Sequence, residues 1–258
     1  MTARRVDLDL FGRPPRNHPN WDHRRGEPRT FALAWTVFLM LATLVMFASM
    51  SAALVVTADL YRPATRALLL TITAGIVLIW PMVRLSQERP YGSALPAAAR
   101  DIIIVLIPVQ ALIWPQALHI LGGWSLELCA AIAATQAAWA IVISGLIALA
   151  LTLDPVRGRV GTARGFWMLL IAVLVIGVPI VELVFGSIGS GSAGRDAGVG
   201  MMLSPLTAVF ELIRVHAWPG SGSIHPSSWL AIGVTSLVGG GVWITAWSAQ
   251  RARSRIRA

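Results

Sequence analysis

The sequence has little charge and almost no cysteine. Acidic and basic residues make up 13% of the 258 residues, whereas a soluble domain carries about 25%. The single cysteine, Cys129, excludes an internal disulfide and a zinc or iron–sulfur site built from cysteines. Lysine is absent, so all 21 basic residues are arginine. These absences exclude a soluble enzyme, a disordered chain and a disulfide-stapled domain.

What the sequence has instead is long apolar runs. Hydrophobic residues make up 56% of the chain, and about 20 of them in a helix cross the hydrocarbon core of a bilayer. We predict an all-α, polytopic membrane protein, in which a six-helix transmembrane domain (31–248) lies between a basic N-terminal arm (1–30) and a basic tail (249–258). The six predicted spans lie approximately at residues 31–57, 67–83, 102–122, 128–152, 166–187 and 229–248.

The arginines predict how these spans are oriented. Counted over alternate connecting segments, 17 of the 21 arginines fall on one side of the membrane and four on the other. Because basic residues accumulate on the cytoplasmic side, we predict that both termini are cytoplasmic and that the protein lies in a bacterial cytoplasmic (inner) membrane. The same flanking pattern accounts for the net charge of +9, so no nucleic-acid partner is expected.

A short helix is predicted in the long outer connection, residues 188–228. Ser204 offers an N-cap, and Pro205 suits the first helical position. Glu211 and Arg214 lie on the polar face, close enough to pair. About 12 residues of helix are too short to cross the membrane, so we expect the helix to lie in the outer interface, to enter a re-entrant hairpin, or to cap the bundle. Its predicted apolar face consists of Leu206, Val209, Phe210 and Ile213.

Four polar residues fall inside the predicted spans: Gln110, His119, Gln136 and Glu182. Polar groups in a membrane are costly and are candidates for function. We expect Gln110 and Gln136 to hydrogen-bond between the third and fourth spans. His119 is expected to be a packing residue near the outer surface. For Glu182, an interfacial structural role and a role in a proton or transport path both remain open.

Catalytic motifs are missing from the sequence. It contains no Gly-x-x-x-x-Gly-Lys phosphate loop, no His-Glu-x-x-His and no Gly-x-Ser-x-Gly. Ser144 beside Gly145 has no histidine in the spans placed to activate it. We therefore expect no enzymatic activity, no cofactor and no bound metal.

The predicted architecture resembles the membrane subunits of ABC-2-type ATP-binding-cassette exporters. The resemblance rests on six spans with both termini inside, and on the last outer connection, where a Pro-containing stretch (203–210) precedes Trp229 and a basic tail. It implies that the cytoplasmic segment 84–101 contacts an ATPase. The candidate coupling residues in that segment are Glu88, Arg89 and Arg100.

The expected function is that of a permease-type subunit of an ATP-driven exporter. Because the chain lacks a phosphate loop, the resemblance implies a separate ATPase subunit as partner, together with a second copy or a homologous permease chain and the lipid bilayer. The alternative is a non-catalytic structural or assembly subunit of a larger membrane complex, which the scarcity of polar groups in the spans favours.

Overall fold

The structure, a computed structural model, describes residues 28–50, 57–87, 93–153, 160–181, 202–216 and 224–257. Its regular elements within these ranges are helical, and no β-strand occurs there. We number the α-helices α1 (Pro28–Met50), α2 (Ala58–Ala74), α3 (Trp80–Ser86), α4 (Ala94–Ile113), α5 (Leu126–Leu153), α6 (Val160–Val181), α7 (Pro205–His216) and α8 (Pro226–Arg257).

Five of the described helical segments are long and apolar enough to cross a membrane, which confirms a helical membrane protein. The segment that corresponds to the fifth predicted span, α6, has a shorter apolar stretch, Ala163–Gly177, so the count of six spans remains a prediction. The five long segments are Pro28–Met50, Leu60–Ser86, Ala94–Ala117, Leu126–Leu153 and Pro226–Ser254.

Several helices are longer than the predicted spans. The second apolar segment begins at Leu60, whereas the predicted span begins at residue 67, and the third helix begins at Ala94, whereas the predicted span begins at residue 102. The last helix runs to Arg257 through most of the predicted tail. Of the predicted arm, 1–30, only the last three residues are described, and they begin α1. The predicted spans were cut at charged residues, whereas the folded helices continue through them.

The second span is continuous because a π-helical turn joins α2 to α3. This turn, Gly75–Ile79, ends two residues before Pro81, which lacks a backbone N–H. The N–H of Trp80 donates to the carbonyl of Gly75, five residues back. A side chain at Gly75 would place its Cβ 2.6 Å from Phe38 of α1, so glycine permits the close approach of these two helices.

Helix α5 lies at the centre of the bundle and contacts α3, α4, α6, α7 and α8. Its closest neighbour is α8, where a Cβ added to Gly239 would lie 2.9 Å from a methyl carbon of Ile141. Trp243 of α8 donates its Nε1–H to both the Ile141 carbonyl and Ser144 Oγ, at 3.1 Å each. Small residues and interhelical hydrogen bonds of this kind hold helices together where lipid supplies no hydrophobic driving force.

The short helix α7 packs into the bundle against α2, α5 and α6. Val209 and Ile213 of its predicted apolar face are buried, but so are Ala208, Leu212 and the predicted polar-face residue Glu211. The prediction of one apolar and one polar face was therefore wrong for Glu211. Three surrounding helices, rather than a flat interface, determine which residues of α7 are covered.

Candidate functional site

Polar contacts between helices occur at both ends of the described bundle. We call the end where α3 stops and α4 starts the arginine end, defined by Arg84, Arg100, Arg164 and Arg253. The other end, where α2 starts, is the tyrosine end, defined by Tyr61. The structure shows this division, whereas the membrane face to which each end belongs remains a prediction.

A buried ion pair lies at the arginine end. Arg84 of α3 and Asp101 of α4 form two parallel hydrogen bonds, from Nε to Oδ2 at 2.5 Å and from the second terminal nitrogen to Oδ1. Their side chains are 7% and 3% exposed. Removing one partner of such a pair leaves an uncompensated charge, so the two helices are held in one mutual position.

Two further helices reach this pair. The remaining guanidinium nitrogen of Arg84 donates to Gln87 Oε1 at 2.9 Å, and its Cζ lies 4.8 Å from the ring centroid of Phe31 on α1. Arg164 of α6 donates to the main-chain carbonyl of Gln87 at 2.5 Å. The arginine end thus joins α1, α3, α4 and α6 through side chains that meet around Arg84.

Helix α5 is held at the same end by α8. Arg253 donates to the carbonyls of Thr152 and Leu153, the latter at 2.9 Å. These carbonyls belong to the last turn of α5, where helical partners are lacking and the helix dipole favours a cation. Arg253 therefore belongs to α8, although the sequence places it in the predicted basic tail, and its side chain caps the end of α5.

Only part of the predicted coupling segment is described. Glu88 and Arg89 lie outside the described residues, and Arg100 is exposed on α4. Arg84 and Asp101 bound the predicted segment, but the sequence analysis did not identify them as a pair. The available signal was a lone basic and a lone acidic residue, each at the edge of an apolar run.

The predicted intramembrane polar residues have other partners than expected. Gln136 donates to Thr73 of α2 at 3.1 Å, so its partner is on the second span rather than on the third. Gln110 accepts from Trp114 Nε1 at 3.0 Å, one turn along its own segment. His119 lies in the turn after that segment and is exposed, so it is not inside a span. Glu182 lies outside the described residues.

The tyrosine end holds a neutral hydrogen bond that the sequence analysis missed. The hydroxyl of Tyr61 donates to Gln116 Oε1 at 2.9 Å, and both side chains are buried. Gln116 lies in the 3₁₀ turn Trp114–Ala117, and Arg62 donates to the carbonyl of Gly122 at 3.3 Å. These bonds join the start of α2 to the α4–α5 connection.

Ser204 and Pro205 tie α7 to α6. Pro205 is the first residue of α7, and the hydroxyl of Ser204 donates to the carbonyl of Val175 on α6 at 2.8 Å. Val175 is four residues before Pro179, which has no N–H to bond that carbonyl. Ser204 therefore satisfies a backbone group that Pro179 leaves without a helical partner, as buried membrane helices require.

The other residues singled out on α7 form two contacts. Glu211 accepts two hydrogen bonds from Arg214, at 2.8 and 2.9 Å. Phe210 lies beneath Arg66 of α2, whose guanidinium carbon is 5.6 Å from the ring centroid. Among the described residues, no group of three or more His, Cys, Asp or Glu side chains is arranged to hold a metal ion.

The chain was compared with protein-family models, curated proteins and solved structures, and none of them matches it.

Proposed function

We propose that the chain is the membrane-spanning, permease-type subunit of an ATP-driven exporter of the ABC-2 type. The support is an apolar helical bundle, a short helix α7 between α6 and α8, and a sequence without a phosphate-binding loop. The energy then comes from a separate ATPase bound on the cytoplasmic side. A second copy or a homologous chain completes the transport path in the bacterial cytoplasmic membrane.

The observation that carries this proposal is the ion pair at the base of the predicted coupling segment. Segment 84–101 begins at Arg84 and ends at Asp101, and the pair joins these two residues. A force on the segment therefore moves α3 and α4 together instead of separating them. Arg164 extends the connection to α6 through the Gln87 carbonyl.

The bundle also offers a route from the arginine end to α7. Helix α6 is bonded to Gln87 through Arg164 at one end and to Ser204 through Val175 further along. A displacement of α6 is thus passed to α7, which packs against α2 and α5. In the proposed mechanism, ATP-driven closure moves α3, α4 and α6, and substrate passes between paired bundles beside α7.

Co-purification tests this proposal. Tagged full-length protein is extracted from its native membranes in mild detergent, and its partners are identified by mass spectrometry. We expect an ATPase with a phosphate-binding loop, and we expect Arg89→Glu to reduce its recovery severalfold. Arg214→Gln, which removes a positive charge on α7 but keeps a hydrogen-bond donor for Glu211, is the control and should leave recovery unchanged. Recovery of no ATPase from membranes that yield the intact protein would contradict the proposal.

A second candidate is a structural or assembly subunit of a larger membrane complex. It is favoured by the packing of α5, whose buried side chains are mostly apolar and touch helices on several sides. The same purification distinguishes the two candidates, because a structural subunit should bring down other membrane proteins in fixed proportion and no ATPase.

A further inference from the structure

An apolar groove runs along the surface between α2, α6 and α7. It has a volume of about 480 Å³, within the range of about 300–1,000 Å³ that is typical of small-molecule sites. The groove opens outward among the described residues. Its walls are formed by Leu70, Thr71, Ala74, Pro179, Leu206 and Phe210.

A positive charge stands at one end of this groove. Arg66 lies one turn before Leu70 on α2, and its guanidinium carbon is 5.6 Å from the ring of Phe210, a groove wall. Its Nε is buried and has no hydrogen-bond partner in the structure. The cation–π contact holds the guanidinium near Phe210, a wall of the groove.

Arg66 differs from the other arginines whose contacts are described above. Within the described ranges no carboxylate or carbonyl oxygen bonds to Arg66, although it belongs to the apolar segment Leu60–Ser86. An arginine in a membrane span is costly unless an anion or water accompanies it. Five other described arginines bond to oxygens of protein groups: Arg62 to Gly122, Arg84 to Asp101, Arg164 to Gln87, Arg214 to Glu211 and Arg253 to Leu153.

We propose that the groove binds an anionic phospholipid of the bilayer, with the phosphate on Arg66 and one acyl chain along Leu70, Thr71 and Ala74. A guanidinium forms two parallel hydrogen bonds with a phosphate. An anionic lipid is favoured over phosphatidylcholine, because the choline of the latter would place a second positive charge near Arg66. The apolar walls of the groove favour contact with an acyl chain of the lipid. The proposal depends on the membrane-spanning architecture and not on the exporter function.

Retention of lipid by the purified full-length protein tests this site. The protein is washed free of loosely held lipid in detergent, mixed with phosphatidylglycerol or with phosphatidylcholine, and analysed by native mass spectrometry. We expect one tightly held phosphatidylglycerol per chain and weaker binding of phosphatidylcholine. Arg66→Gln should weaken the binding of phosphatidylglycerol by about tenfold or more, whereas Arg66→Lys should retain part of it.

Two further variants separate the site from a general charge or folding effect. Arg62→Gln removes a neighbouring arginine that bonds to a carbonyl and should leave retention unchanged. Thr71→Phe keeps Arg66 but fills the groove; because Thr71 is exposed, the fold should persist, as checked by far-ultraviolet circular dichroism, and the lipid should be lost.

Other outcomes would overturn the proposal. They include equal retention by Arg66→Gln and the unchanged protein, equal binding of the two lipids, and equal loss in Arg62→Gln. Glycerol phosphate that competes as well as the lipid would show that the groove walls contribute nothing. A protein that holds no lipid, or variants that change only the fraction of dimer, would assign the groove to another part of this chain or to a second copy.

Discussion

The two carboxylate–arginine pairs show how the same chemistry serves different purposes in different surroundings. Arg84 and Asp101 are 7% and 3% exposed and join two helices across a loop. Arg214 is 51% exposed and pairs with Glu211 one turn away on the same helix. Both pairs are bidentate, but removing one partner of the first leaves the charge of the other in a buried position. In the second pair, Arg214 can bond to water instead of Glu211. Only the first pair therefore determines where helices lie.

The largest expected effect is at the buried pair. Asp101→Asn removes the anion and leaves the Arg84 guanidinium buried, which should cost about 3–5 kcal/mol of unfolding free energy. Denaturant titration of the detergent-solubilised full chain, followed by far-ultraviolet circular dichroism, measures it.

A double variant is the control for this substitution. Arg84→Met combined with Asp101→Leu removes both charges and should recover most of the loss. A single variant as stable as the unchanged protein would mean that the pair does not hold α3 against α4.

A smaller effect is expected for the neutral bond at the tyrosine end. Tyr61→Phe leaves Gln116 Oε1 buried without its donor, and the cost of an unsatisfied buried acceptor is about 1–3 kcal/mol. The same titration gives the value. If Tyr61→Phe proves as harmful as Asp101→Asn, charge is not what distinguishes the two ends.

The cap that Arg253 forms on α5 should contribute less to the unfolding free energy than the Tyr61–Gln116 bond. Arg253→Gln removes a cation from the last turn of a helix, for which about 0.3–1 kcal/mol is typical. Arg100→Gln, at an exposed residue of the same end, is the matched control and should be close to neutral. Equal losses in both variants would indicate a general loss of positive charge at the arginine end rather than the loss of a cap.

The smallest effect is expected at the pair whose arginine is exposed, Glu211 and Arg214. Glu211→Gln makes the same carboxylate-to-amide change as Asp101→Asn, but it should shift the unfolding free energy by less than about 1 kcal/mol, because Arg214 can be solvated and the amide oxygen can still accept a hydrogen bond. A loss equal to that of Asp101→Asn would break the comparison between the two pairs, because the exposure of the arginine would then not matter.

The helices were predictable because hydrocarbon forces a long apolar run to satisfy its backbone hydrogen bonds internally. The residues at which the helices begin and end were less predictable. The apolar runs in the sequence end at Arg66, Arg84 and Asp101, whereas the helices continue through these residues. They can do so because an ion pair or a neighbouring aromatic ring lowers the cost of placing each charge in the helix. The helix at Pro205 was also predictable, because Pro at the first position and the spacing of apolar residues are local signals.

The tertiary structure decided which side chains bond to each other. The sequence determined a helical membrane protein, a helix beginning at Pro205 and a Glu211–Arg214 spacing suited to a pair, since these depend on composition or on residues within one turn. Only the packed bundle decided that Gln136 meets Thr73, that Ser204 donates to Val175, and that Arg84 meets Asp101. Each of these bonds joins residues at least 17 positions apart, and their choice depends on which helices become neighbours and in which rotation, information that no local pattern contains.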